Sequence, residues 1–214
     1  AAVIAQAAPM QQLLLLIGWL AAYCFSFYFG LTVKGWRRPD RFSRYRAQQF
    51  TYGLVAAGSA AVLATLHPQL LWLGLPLGGI FAANLWFITR RQERVWLNDL
   101  LGVAAATLVG AVAIWIGAGT VPGFAWQMLG CLAAYFAGTV WYVKTMIRER
   151  GKSDWLWFSI GWHVVALAAT ATVSAWYIVV FGPALLRAVP LPRHRSEEHT
   201  SELQSHSFIS YAVF

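Results

Sequence analysis

YFAGTVWYVKTMIRERG, residues Tyr135–Gly151, changes character halfway along. Its first half is apolar and aromatic enough for lipid, and Lys144, Arg148 and Arg150 then follow at helical spacing, so a single helix is expected to leave a bilayer here. Positive charge gathers on the cytoplasmic side of membrane proteins. The Gly151 end is therefore expected in the cytoplasm, and the Gly117–Phe124 end of the same helix outside.

The composition agrees with that reading. Of 214 residues 59% are hydrophobic and 11% charged, against about 25% charged in an average soluble domain. Such a chain cannot cover a water-facing surface, and apolar runs of about 20 residues match a hydrocarbon core of ~30 Å. The formal charge of +8 falls in short segments between those runs. There it sets topology and meets anionic headgroups, so nucleic acid is not expected as a partner. Cys24 and Cys131 each lie inside an apolar run without CxxC or Cys/His spacing, and read as packed thiols. No metal site and no cofactor follow from them. Trp19, Trp36, Trp72, Trp96, Trp126, Trp155 and Trp157 fall near expected helix ends, as interfacial aromatic belts do.

Six spans can be read, about residues 11–31, 48–66, 70–89, 98–116, 124–146 and 155–180. The second is rich in small residues, from Gly53 through Ala56, Ala57, Gly58 and Ser59 to Ala64, and is expected to be an interior helix. His67-Pro68 reads as a tight outer turn, Pro76 as a kink in the third span, and Gly182-Pro183 as the end of the sixth. Asn98 or Asp99, and Ser153 or Asp154, are suited to cap helices. Segments 32–47, 90–97 and 147–154 carry lysine and arginine, whereas the connections after spans two and four carry neither. This alternation puts the three basic segments in the cytoplasm of a bacterium. Arg187, Arg193 and Arg195 conflict with it, because the segment after span six is expected outside.

Residues 1–192 read as one transmembrane helical bundle, all-α and polytopic. After Pro192 the composition turns polar, and SEEHTSELQSHSFISYAVF resembles translated sequencing adaptor, so 193–214 read as a non-native or disordered tail. Ala1–Pro9 has no basic segment before an apolar core and is not a signal peptide. The chain is expected to be truncated at both ends.

Longer strings carry a family resemblance. IGWLAAYCFSFYFGLTVKGWRRPDRFSRYR (17–46), TRRQERVWLNDLLG (89–102), AYFAGTVWYVKTMIRERG (134–151) and GWHVVALAA (161–169) resemble the YwiC-like family of bacterial integral membrane proteins. The family usually opens with a His-Gly-Ala-Trp type segment that this chain lacks. The resemblance implies a multi-pass protein of the bacterial cytoplasmic membrane and carries no molecular activity with it.

Polar side chains concentrate toward the cytoplasmic helix ends. Arg37, Arg38, Arg90, Arg91, Asn98, Asp99, Lys144 and Arg148 stand there, with Asn84 about 7 to 8 Å deeper and His163 about 12 Å into the sixth span. These residues are candidates for holding a phosphate or pyrophosphate headgroup, since arginine forks match phosphate oxygens and helix N-termini add backbone donors. The bilayer is the expected partner, with an anionic or isoprenoid lipid as the ligand. The architecture is similar to the UbiA-type intramembrane prenyltransferases, yet the two Asp-rich motifs that hold magnesium there have no counterpart, because Asn98-Asp99 has no partner at Asp-xxx-Asp spacing. No Ser/His/Asp set, P-loop or haem-type histidine pair occurs, so whether the protein is an enzyme stays open. A small-solute transporter also fits six spans with Pro76 and glycine-rich stretches. The absence of Asp, Glu, Lys or Arg from the middle of a span speaks against proton or ion coupling. Nothing in the sequence sets the oligomeric state.

Overall fold

A computed structural model of the chain describes residues 9–35, 39–92, 94–147, 149–150 and 152–189, with the side chains of 35 and 39–44 excepted. Among the described residues the protein is all-α, with seven helices and no strand: α1 Pro9–Gly35, α2 Pro39–Leu66, α3 Leu71–Thr89, α4 Trp96–Ala118, α5 Gly123–Ile147, α6 Ser153–Val173 and α7 Tyr177–Ala188. Two units divide it, Ala1–Ala137 and Gly138–Phe214. Five segments are long and apolar enough to cross a membrane: Pro9–Lys34, Tyr45–Leu66, Pro68–Thr89, Trp96–Ala118 and Ser153–Val173. The segment expected as the fifth span forms the helix α5, whose 25 residues extend about 37 Å, and it is not among those five.

The first unit has its core at the uncharged helix ends. Leu63, Leu70, Val112 and Ile116 are buried together, with Leu14, Leu15, Leu73, Leu77 and Trp115 packed around them. Two long-range polar contacts close the same end: Gln11 Oε1 meets the His67 ring at 2.8 Å, and the Gln12 amide donates to the Ala113 carbonyl at 3.2 Å. The His67-Pro68 turn forms as expected and continues through a 3-10 turn, Pro68–Leu70, into α3. Toward the basic ends aromatic rings take over, with Phe25 beside Phe81 and Tyr28 stacked on Tyr52.

Several expectations need correction. The basic segment 32–47 is mostly helix, because α1 continues to Gly35 and α2 starts at Pro39, a residue whose fixed φ and missing N–H suit the first helical position. The small-residue helix α2 is not interior. Gly18 of α1 approaches Ser59 so closely that a Cβ there would lie 2.8 Å from the Ser59 Cβ. On the remaining surface Ala57, Gly58, Ala60 and Ala61 are exposed, since small side chains permit close approach without recruiting a neighbour to every face. Neither expected cap forms. Val95 and Lys152 hold the N-cap positions of α4 and α6, and neither side chain makes a capping hydrogen bond.

The expected sixth span is also interrupted. Ser174 adopts extended backbone at φ −163° and ψ 135°, ending α6 at Val173. After a tight turn α7 begins, and Gly182-Pro183 lies inside it. In the second unit α7 packs against α6, burying Phe181, Ala184 and Ala188. These positions follow helical spacing, i, i+3 and i+7, which explains why the segment folds as an amphipathic helix and not as a tail.

Candidate functional site

The candidate residues are divided. Asn84, Arg90, Arg91, Asn98 and Asp99 belong to the first unit, and Lys144 and His163 to the second. Arg37, Arg38 and Arg148 lie outside the residues whose side chains are described.

In the first unit the α3–α4 connection is built by its hydrogen bonds. The Arg91 amide donates to the Ile88 carbonyl at 3.0 Å and the Gln92 amide to the Phe87 carbonyl at 2.8 Å. This is the Schellman pattern, which needs a left-handed residue, usually glycine, just past the helix. Here that residue is Arg91, at φ 58°. Arg90, Arg91 and Arg94 are exposed around the turn, and the Arg90 guanidinium carbon stands 5.6 Å from the centre of the Trp86 ring. Below them the Asn84 amide donates to Asn98 Oδ1 at 3.1 Å, and Asn98 is buried. The candidate asparagines therefore tie α3 to α4, and Asn98 uses its oxygen for that contact instead of a helix cap. Asp99 is half-buried in the first turn of α4, where a carboxylate complements the helix dipole.

In the second unit Lys144 is buried in the last turn of α5, and its carbonyl accepts the Glu149 amide at 2.8 Å. Glu149 in turn receives the Lys152 ammonium at 2.6 Å. His163 is 3% exposed, and its Nδ1 lies 2.7 Å from the Ser159 carbonyl. A carbonyl only accepts, so Nδ1 carries the proton. The ring edge faces Gly138 of α5, where a Cβ would lie 3.0 Å from His163 Nε2.

Sequence reasoning missed Arg187. It stands on α7, where its Nη2 donates to Thr139 Oγ1 of α5 at 3.2 Å and its guanidinium carbon lies 4.8 Å from the Tyr142 ring centre. The stripe Phe181, Ala184, Ala188 carried the signal, but Gly182-Pro183 reads as a stop when taken alone. Ser159, fully buried with a hydroxyl that has no hydrogen-bond partner among the described residues, was missed as well. Among the described residues no group of three or more His, Cys, Asp or Glu could hold a metal ion.

The YwiC-like protein family model matches residues 1–114. An uncharacterised protein of Bacillus subtilis (strain 168), YwiC, is 31% identical over 175 residues, which are 81% of this chain and 72% of the relative. An uncharacterised protein of Haemophilus influenzae (strain ATCC 51907 / DSM 11121 / KW20 / Rd) is 28% identical over 183 residues, 85% of this chain and 75% of the relative. No solved structure matches the chain.

Proposed function

The chain belongs to the YwiC-like family, and from that premise we propose that it is a multi-pass protein of the bacterial cytoplasmic membrane that binds an anionic, phosphorylated ligand, such as a lipid headgroup, at its basic cytoplasmic face. One observation carries the reading: Arg91 occupies a left-handed position that glycine would fill at lower cost. An exposed arginine kept there, between Arg90 and Arg94 and above the Asn84–Asn98 pair, supports a use for its side chain beyond closing the turn. Arginine forks hold phosphate oxygens in pairs. Arg90 beside Trp86 suits the headgroup level, where aromatic rings and cations gather. Segments 32–47 and 147–154, to which Arg37, Arg38 and Arg148 belong, are assigned to the cytoplasm by the same charge alternation.

Native mass spectrometry with lipid extraction tests this on the chain without residues 193–214. Wild type is expected to retain a phosphorylated lipid that Arg90→Ala/Arg91→Ala loses. Identical bulk phospholipid in both preparations would reduce the arginines to topology signals. A second reading, small-solute transport, is supported by the break at Ser174, since interrupted helices form transport sites in other membrane proteins.

A further inference from the structure

Three helices of the second unit bring polar groups to one level. His163 stands ten residues from each end of α6, about 15 Å from either and half of a ~30 Å hydrocarbon core. Arg187 stands ten residues beyond the start of α7, again about 15 Å. Thr139 lies eight residues before the end of α5, about 12 Å. Contacts tie these levels together. Arg187 reaches Thr139 at 3.2 Å, and Gly138, the neighbour of Thr139, faces the His163 ring. So α7 returns alongside α6 as a helix of half the membrane's thickness and ends near its middle. Arg187 is therefore not part of an external connection, and its charge stands where the sequence placed no Asp, Glu, Lys or Arg.

A cation at that depth is expensive, and ionisable groups kept inside membranes mark substrate and ion sites more often than surface charges do. The guanidinium has a prepared setting. Thr139 accepts from one Nη, and the Tyr142 ring holds the group by its face. Ser159 adds a second, independent sign. It is 0% exposed, lies one turn before His163 on the same buried face of α6, and its hydroxyl has no hydrogen-bond partner among the described residues. A donor left so in low dielectric is costly unless something accepts from it. The His163 Nδ1–H cannot accept from it, being itself a donor to the Ser159 carbonyl.

We propose that the second unit holds an oxyanion within the membrane, a carboxylate or a phosphate, with Arg187 supplying the charge and Ser159 a further donor. The planar guanidinium fork matches both anions, and apolar surroundings strengthen the attraction relative to water. The site is built without the residues of the Arg90–Arg91 turn.

Thermal unfolding of the full chain tests the proposal in two settings. In an uncharged detergent the probes are sodium phosphate and sodium acetate, against sodium chloride at equal ionic strength. In nanodiscs phosphatidylcholine is compared with and without phosphatidylglycerol. Wild type is expected to show a saturable rise in Tm with phosphate or acetate, or with phosphatidylglycerol, and the setting in which it appears tells a free anion from a lipid headgroup. Arg187→Gln and Ser159→Ala are expected to weaken that response about ten- to a hundredfold in apparent affinity, the worth of a charge-assisted hydrogen bond. Arg187→Lys keeps the charge without the fork and should fall between, whereas Arg90→Ala/Arg91→Ala should leave the response intact. The proposal is overturned if wild type shows no saturable response in either setting, or if Arg187→Gln responds as wild type does. Should Arg187→Gln fail to fold, an unchanged response in both Arg187→Lys and Ser159→Ala overturns it equally.

Discussion

A methyl group added at Gly138 tests whether the close approach of α5 and α6 positions His163. The new Cβ would lie 3.0 Å from His163 Nε2, 3.2 Å from Trp162 Cδ1 and 3.4 Å from His163 Cδ2. Comfortable contact between such atoms begins near about 3.5 Å, so something must move by several tenths of an ångström. The imidazole is poorly able to yield, because Nδ1 is held at 2.7 Å on the Ser159 carbonyl and the residue is buried. Either that hydrogen bond breaks, at about 0.5–1.5 kcal/mol, or the helices part, with overpacking costing about 1–3 kcal/mol. Replacing a helical glycine by alanine returns up to about 1 kcal/mol. Gly138→Ala is therefore expected to lose about 0–2 kcal/mol net. Gly130→Ala, on the same helix with no atom within 4 Å of its Cβ, should instead gain up to about 1 kcal/mol. Equilibrium unfolding in mixed micelles, followed by far-ultraviolet circular dichroism during a dodecyl sulfate titration, compares the two. Equal stabilisation by both substitutions would refute the reasoning.

Further outcomes are expected in the first unit. Arg91→Gly relieves a left-handed arginine and should stabilise the protein by about 1 kcal/mol in the same titration, while removing a contributor to the proposed headgroup contact. Asn84→Leu and Asn98→Leu should each destabilise, and a double-mutant cycle should give a coupling of about 0.6–1.7 kcal/mol, the range of interhelical hydrogen bonds in membranes. In a Cys24→Ala/Cys131→Ala background, a membrane-impermeant maleimide added to intact cells should label Thr120→Cys and spare Gln92→Cys until the membrane is opened, as the alternation of basic and uncharged connections requires. The reverse pattern would invert the topology.

Hydropathy and charge are local properties, and what depends on them was legible in the sequence. Apolar runs of membrane length gave the helices, lysine and arginine clusters fell at helix ends and connections, and the strings at 17–46 and 89–102 carried the family. Which polar groups meet was not legible, because the partners are far apart in the chain. Asn84 finds Asn98 across a turn, Gln12 finds the Ala113 carbonyl 101 residues away, and Arg187 finds Thr139 48 residues away. Small residues on α2 suggested an interior helix, yet only tertiary packing decides which face of such a helix is covered. Gly182-Pro183 suggested an end. The structure broke the helix earlier, at Ser174, and carried the proline inside α7, because burying Phe181, Ala184 and Ala188 offsets one missing backbone hydrogen bond. That fold-back turns Arg187 from a topological misfit into the residue that meets Thr139 and Tyr142, a placement set by helix packing that no local pattern of charge encodes.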